Sequence, residues 1–143
     1  MRALIFSLFI FPLHTLVAQE PIVWSASYQH ENKKILFNAV IEKGWHVYSQ
    51  FIDPSAGPVP TSFVIDSSNG FSLTGRVEEP KPIVAFDKSF EAEVAYFEKN
   101  VTFEQKINVF DSTLVTARIT YMLCNDEMCL PPTETILTIN IYP

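Results

Sequence analysis

From Val101 to Val109 the chain sets Val101, Phe103, Gln105, Ile107 and Val109 at alternate positions, with Thr102, Glu104, Lys106 and Asn108 between them. Successive side chains of a strand point to opposite faces, so a period of two describes a half-buried antiparallel strand. A helix would need its apolar stripe to recur about every 3.6 residues. The pattern repeats from Thr113 to Leu123, where Val115, Ala117, Ile119, Tyr121 and Leu123 share a face, and Thr135–Tyr142 reads as a closing strand rich in isoleucine and threonine. Earlier strand segments are Ile22–Tyr28, Ile35–Ile41, Trp45–Phe51, Ser62–Ile65, Phe71–Val77 and Glu93–Phe97. Turn-forming runs separate them: Glu42-Lys43-Gly44, the proline cluster from Pro54 to Pro60, and Asp66-Ser67-Ser68-Asn69-Gly70. No window long enough for a helix carries an amphipathic stripe with a cap. Eight or nine short strands with regular turn signals predict an all-β, immunoglobulin-like two-sheet sandwich, with a closed barrel as the second choice. At 143 residues, with no internal repeat or linker, the chain fits one domain.

The first residues stand outside this pattern. Arg2 precedes an apolar run from Ala3 to Phe11 broken only by Ser7, and small residues follow around Ala18. A membrane span needs about 20 apolar residues, and Pro12 and His14 interrupt this run at about half that length. Charge, apolar run and small residues in this order read as a cleaved signal peptide over residues 1–18, leaving 19–143 as the exported domain. No cysteine sits near the cut to carry a lipid, and the exported domain is expected to be soluble, not membrane-spanning, and monomeric.

Charge narrows the partners. Sixteen acidic against ten basic residues give a net charge of −6, whereas nucleic-acid binders present a basic face. No glycine-rich phosphate loop, paired-histidine motif or nucleophile elbow occurs, so neither a metal nor a cofactor is expected. A cysteine nucleophile would need a histidine base. Beyond the leader only His30 and His46 remain, and each reads as a half-exposed strand residue. Asn100-Val101-Thr102 matches a glycosylation sequon at a strand start, a triplet common by chance.

Chemistry concentrates at Cys124 and Cys129, the two cysteines of the chain, separated by Asn125, Asp126, Glu127 and Met128. Turn residues between flanking strands put the sulfurs across the base of a hairpin, where opposed Cα atoms lie about 4.5–5.5 Å apart and a disulfide fits. Closing so short a loop stabilises a fold by only about 2 kcal/mol, against about 4.7 for a 100-residue loop. A structural staple and a redox-active pair therefore both remain open. Met122 and Met128 add soft sulfur ligands, so a Cu(I) site is conceivable, but methionines more often serve as apolar cover. Asp126 and Glu127 disfavour a thiolate, and no Lys, Arg or His lies near in sequence, so the free pair is expected not to be strongly acidified.

The stretch Tyr121–Thr133, with Cys-x4-Cys followed by Leu130-Pro131-Pro132, resembles the active-site region of the N-terminal periplasmic domain of DsbD. DsbD is the bacterial thiol:disulfide interchange protein that carries reducing equivalents across the inner membrane. Gly44-Trp45-His46-Val47-Tyr48, Pro58-Val59-Pro60-Thr61 and the stretch from Gly75 to Pro82 are similar too, so the likeness spans most of the exported chain. It implies an immunoglobulin-like sandwich with an active-site hairpin, and thiol:disulfide exchange in the periplasm as a protein oxidoreductase. Cys129 would form the mixed disulfide with a partner and Cys124 would resolve it. A cap loop within Ile83–Phe90 would shield the pair through an aromatic ring, Phe86 or alternatively Phe90. The multi-helix membrane domain and thioredoxin-like domain of DsbD do not follow in this sequence, so a stand-alone domain is expected to depend on a membrane electron donor and to serve periplasmic thioredoxin-like acceptors. The competing reading is a non-enzymatic β-sandwich binding module whose disulfide stiffens a loop. Pro131 and Pro132 lack N–H groups and would leave the edge beside the pair open to a docking chain.

Overall fold

Three antiparallel sheets are present in the computed structural model, which describes residues 20–143. The expected leader, residues 1–18, lies outside the described residues. The first sheet has the order β1 (Ile22–Gln29), β2 (Lys34–Ile41), β8 (Asn100–Val109), β5 (Phe71–Glu78). The second runs β10 (Leu123–Cys124), β3 (His46–Tyr48), β7 (Ala92–Glu98), β6 (Ile83–Asp87). The third is β11 (Thr133–Ile141), β9 (Thr113–Tyr121), β4 (Ser62–Ile65). All three sheets are open, so the chain is a sandwich and not a closed barrel. No helix among the described residues is long and apolar enough to cross a membrane.

The period-two faces meet in the middle. Val101, Phe103, Gln105 and Ile107 of β8 are buried, as are Val115, Ala117, Ile119 and Tyr121 of β9. Aromatic rings join the layers: Phe63 of β4 lies 5.0 Å from Phe103 and 5.1 Å from Phe37 of β2, and Trp24 of β1 lies 5.5 Å from Tyr121. Phe97 of β7 meets Phe103 edge-on at 5.6 Å, tying the second sheet to the same core. A smaller second cluster, with Tyr48, Ile52, Val94 and Cys124 buried, fills the second sheet's own end.

Three segments differ from the sequence reading. The strand expected from Thr113 to Leu123 ends at Tyr121, and Leu123 begins β10 in another sheet. Ile83–Asp87, expected within a cap loop, is a strand paired with β7 from Ile83↔Tyr96 to Asp87↔Ala92, and only the turn after it is loop. The strand expected over Trp45–Phe51 shortens to His46–Tyr48. Ser49 still donates its N–H to Ala95, but its hydroxyl and the Gln50 N–H turn to the Glu79 carboxylate, so this stretch exchanges the ladder for a side-chain anchor.

Candidate functional site

The cysteine hairpin is an extension of β9. After Tyr121 the chain passes through Met122 into β10, which leaves β9's sheet and pairs with β3, Leu123 opposite Val47 and Cys124 opposite His46. Asn125 shapes the turn: its side-chain oxygen accepts the N–H groups of Glu127 and Met128 at 2.9 and 2.8 Å, an Asx turn. The Asn125 N–H donates to the Met128 carbonyl at 2.9 Å, and the Leu130 N–H to that of Leu123 at 2.8 Å. Cys124 and Cys129 thereby face each other with Cα atoms 4.0 Å apart and are joined as a disulfide. Cys124 is 0% exposed, whereas Cys129 is half-buried. Asp126 and Glu127 are exposed on the loop, and Met128 beside them is 53% exposed. Met122 packs in the second cluster and its sulfur accepts the Val59 N–H at 3.5 Å.

Beside the disulfide sits a polar group that sequence reasoning did not assemble. The Tyr48 hydroxyl donates to the Asp87 carboxylate at 2.6 Å, and His46 Nε2 lies 3.2 Å from that hydroxyl and 3.7 Å from the carboxylate. The His46 ring packs 4.6 Å from that of Tyr96. Burial pushes the His46 imidazole below its ordinary value, against the pull of Asp87, Glu98 and Asp126. Burial works to raise the Asp87 carboxyl. The bonds from Tyr48 and from the Ser89 and Phe90 N–H groups, with His46 alongside, outweigh it and hold the carboxyl below the usual range. Burial and the Asp87 carboxylate push the Tyr48 phenol well above its ordinary range. Both His46 and Tyr48 lie in the Gly44–Tyr48 stretch, but nothing in the sequence says that β6 brings Asp87 to them.

Strand β6 and the turn after it carry the two candidate shielding rings, Phe86 and Phe90, to different places. Phe86 is 66% exposed and lines a cleft of about 330 Å³ together with His46, Asp87, Tyr96, Asn125 and Asp126. Phe90 is half-buried in the second cluster with Cys124, Cys129 and Met122, its ring 6.0 Å from that of Tyr48 and edge-on to it. The Phe90 ring also covers Gly57, where an added Cβ would lie 2.5 Å from its Cδ1. Gly57 follows a 3-10 turn (Pro54–Ala56) capped by Asp53, whose carboxylate accepts the Ser55 N–H at 2.8 Å. Among the described residues no cluster of three or more His, Cys, Asp or Glu is arranged to hold a metal ion.

The sequence matches, over residues 14–141, the family model described as the N-terminal part of the thiol:disulfide interchange protein DsbD. Similar solved structures include the DsbD N-terminal domain of Neisseria meningitidis in its reduced form, at 14% identity and a TM-score of 0.64, covering 87% of this chain and 88% of that one. The complex between the DsbD N-terminal and PilB N-terminal domains of the same organism matches at 13% identity and a TM-score of 0.62, covering 87% and 86%. The N-terminal periplasmic domain of ScsB from Proteus mirabilis matches at 17% identity and a TM-score of 0.60, covering 87% of this chain and 48% of that one. At these identities the structural likeness establishes the fold, which is the immunoglobulin-like sandwich expected from the strand pattern. No curated protein matches.

Proposed function

The chain belongs to the family of the DsbD N-terminal domain, and on that premise we propose that it is a periplasmic thiol:disulfide exchange module acting through Cys124 and Cys129. The observation that carries this is the asymmetric burial of the disulfide, with Cys129 half-buried at the loop and Cys124 wholly enclosed. A partner reaches Cys129 first. In the reduced protein the Cys129 thiolate attacks a partner disulfide, forming a mixed disulfide and releasing one partner thiol. Cys124 then attacks the Cys129 sulfur, closing the intramolecular disulfide and releasing the second partner thiol. Two electrons pass to the partner, and a membrane electron donor restores the dithiol.

Phe90 is the better placed of the two rings to shield the pair, because it shares the second cluster with both cysteines. Phe86 instead offers an exposed apolar contact at the cleft mouth. Asp126 and Glu127 keep negative charge by the thiols, which disfavours a free thiolate and directs reaction to partner complexes. That a related domain has been crystallised with the PilB N-terminal domain supports a protein as the partner. Thioredoxin-like acceptors are the class expected here.

Trapping tests the reading. Cys124→Ser should accumulate a covalent adduct with an oxidised thioredoxin-like protein, and Cys129→Ser should not. The wild-type reduction potential should lie above about −300 mV. Absence of any adduct, with a potential below that value, would assign the bond a structural role in a binding module.

A further inference from the structure

Cys124 and His46 are directly opposed across β10 and β3, and His46 is directly opposed to Glu98 across β3 and β7. Directly opposed residues of an antiparallel pair project from the same face, with Cβ atoms about 4.5–5.5 Å apart. The buried cysteine, the imidazole and a carboxylate therefore form one row across three strands. A second set of contacts fixes the ring. The single proton of the Tyr48 hydroxyl goes to the Asp87 carboxylate, so the Tyr48 oxygen is left to accept from His46 Nε2–H. That assigns the tautomer and leaves Nδ1 as the proton acceptor of the ring.

We infer that His46 is the proton acceptor for Cys124, taking the thiol proton as Cys124 attacks the mixed disulfide on Cys129. The inference rests on the exchange reading above and adds to it the residue that makes the second step fast. In this step the Cys124 S–H proton moves to His46, the Cys124–Cys129 S–S bond forms, and the bond from Cys129 to the partner sulfur breaks. The partner leaves as a thiolate and takes up a proton, from the imidazolium or from water. No further oxidant is needed, because the two electrons lost by the dithiol are those gained by the partner.

The surroundings suit this role. The charged and titratable groups around the ring are Tyr48 on β3, Asp87 on β6, Lys88 in the cap turn, Tyr96 and Glu98 on β7, and Asp126 on the cysteine loop. Burial keeps the imidazole neutral near pH 7, ready to accept, and the three carboxylates stabilise the imidazolium once formed. A thiol with an ordinary pKa of about 8.5 is only about 3% ionised at pH 7, so a base can speed its attack by up to roughly thirtyfold. A buried cysteine flanked by acids gains most from such help.

A chromogenic disulfide, dithiobis(nitrobenzoate), tests the inference without a protein partner. Reduced protein should release nitrothiobenzoate in two phases, attack by Cys129 and resolution by Cys124, and Cys124→Ser should abolish the second. His46→Gln should leave the first phase unchanged and slow the second roughly tenfold or more at pH 7, with the deficit closing above about pH 9. A second phase of wild-type rate, one slowed by the same factor at every pH, or a defect in the first phase instead would each overturn the inference. Wild-type protein gives an independent reading should the variant fold poorly. Its second phase should vary by less than about threefold between pH 6.5 and 8, and a full tenfold rise per pH unit would remove His46 from the step. Failure to form partner adducts, with this pH profile intact, would count against the exchange reading alone.

Discussion

Gly57 controls a ring it never touches through a side chain. Its φ of 105° lies where L side chains are strained, and the space its Cβ would take is filled by Phe90. Gly57→Ala should therefore push the Phe90 ring off the second cluster. We expect reduction of the Cys124–Cys129 disulfide by dithiothreitol to speed up by several-fold, with stability falling by about 1–2 kcal/mol. An unchanged reduction rate in a folded variant would mean that Phe90 does not screen the pair. Acid should also act at this site, in two windows. His46 sits below its ordinary 6.5, so its unfolded form binds more protons. Its contribution is present above pH 6.5 and is lost progressively as the pH falls from there through the folded value. Asp87 sits below its ordinary 3.8, so its contribution is present above that value and is lost as the pH drops through its folded value. Unfolding midpoints measured from pH 8 to 3 should fall in both windows. His46→Gln should flatten the upper one, and Asp87→Asn the lower. Stability that rises below pH 6.5 would contradict the sign. These couplings show where sequence reading ends at this scale. Cys124 and Cys129 announce themselves by spacing, while His46 reads as an ordinary strand residue until strand register sets it opposite Cys124.

The strands that were legible are those with one dry face. On β8 and β9 the burial alternates as the residues do, and even Gln105 keeps the phase that its neighbours set. Gln105 is buried because its amide donates to the Thr74 carbonyl at 3.2 Å and to that of Lys106 at 2.8 Å, next to the bulge where β5 shifts register between Thr74 and Glu78. A polar residue in a core-facing position thus marks a defect in the neighbouring strand that must be satisfied. Gln105→Ala should cost about 2–3 kcal/mol by urea denaturation, from the void and from the lost bond at the bulge. A loss under 0.5 kcal/mol would mean that the bulge does not depend on this amide. Strand β6 was not legible for a related reason. It is an edge strand with Ile83, Val84 and Phe86 exposed, so burial imposes no alternation on it. The shortening at Ser49 was hidden as well, because the Glu79 carboxylate that draws the chain away is distant in sequence.

Two apolar clusters divide the molecule between stability and chemistry. The larger joins all three sheets through Phe103, whose ring meets Trp24, Phe63 and Phe97. The smaller holds Cys124 and Cys129 with Phe90 and Tyr48, and its hairpin is closed by backbone bonds at Asn125 and Leu130. Under the proposed function, a domain that exposes one disulfide to another protein gains from this separation, since local opening of the hairpin need not unfold the sandwich. Hydrogen exchange can measure how separate the two are. Breaking a loop this short should lower global stability by about 2 kcal/mol, so amides that exchange only by global unfolding, such as those of Phe103 and Ile119, should quicken by roughly thirtyfold on reduction. The amides of Asn125 and Leu130 should quicken by more, because they also lose the local closure of the hairpin. If all four change by the same factor, the clusters open as one cooperative unit. Exposure of the enclosed Cys124 would then require unfolding of the whole sandwich, which is the outcome this architecture argues against.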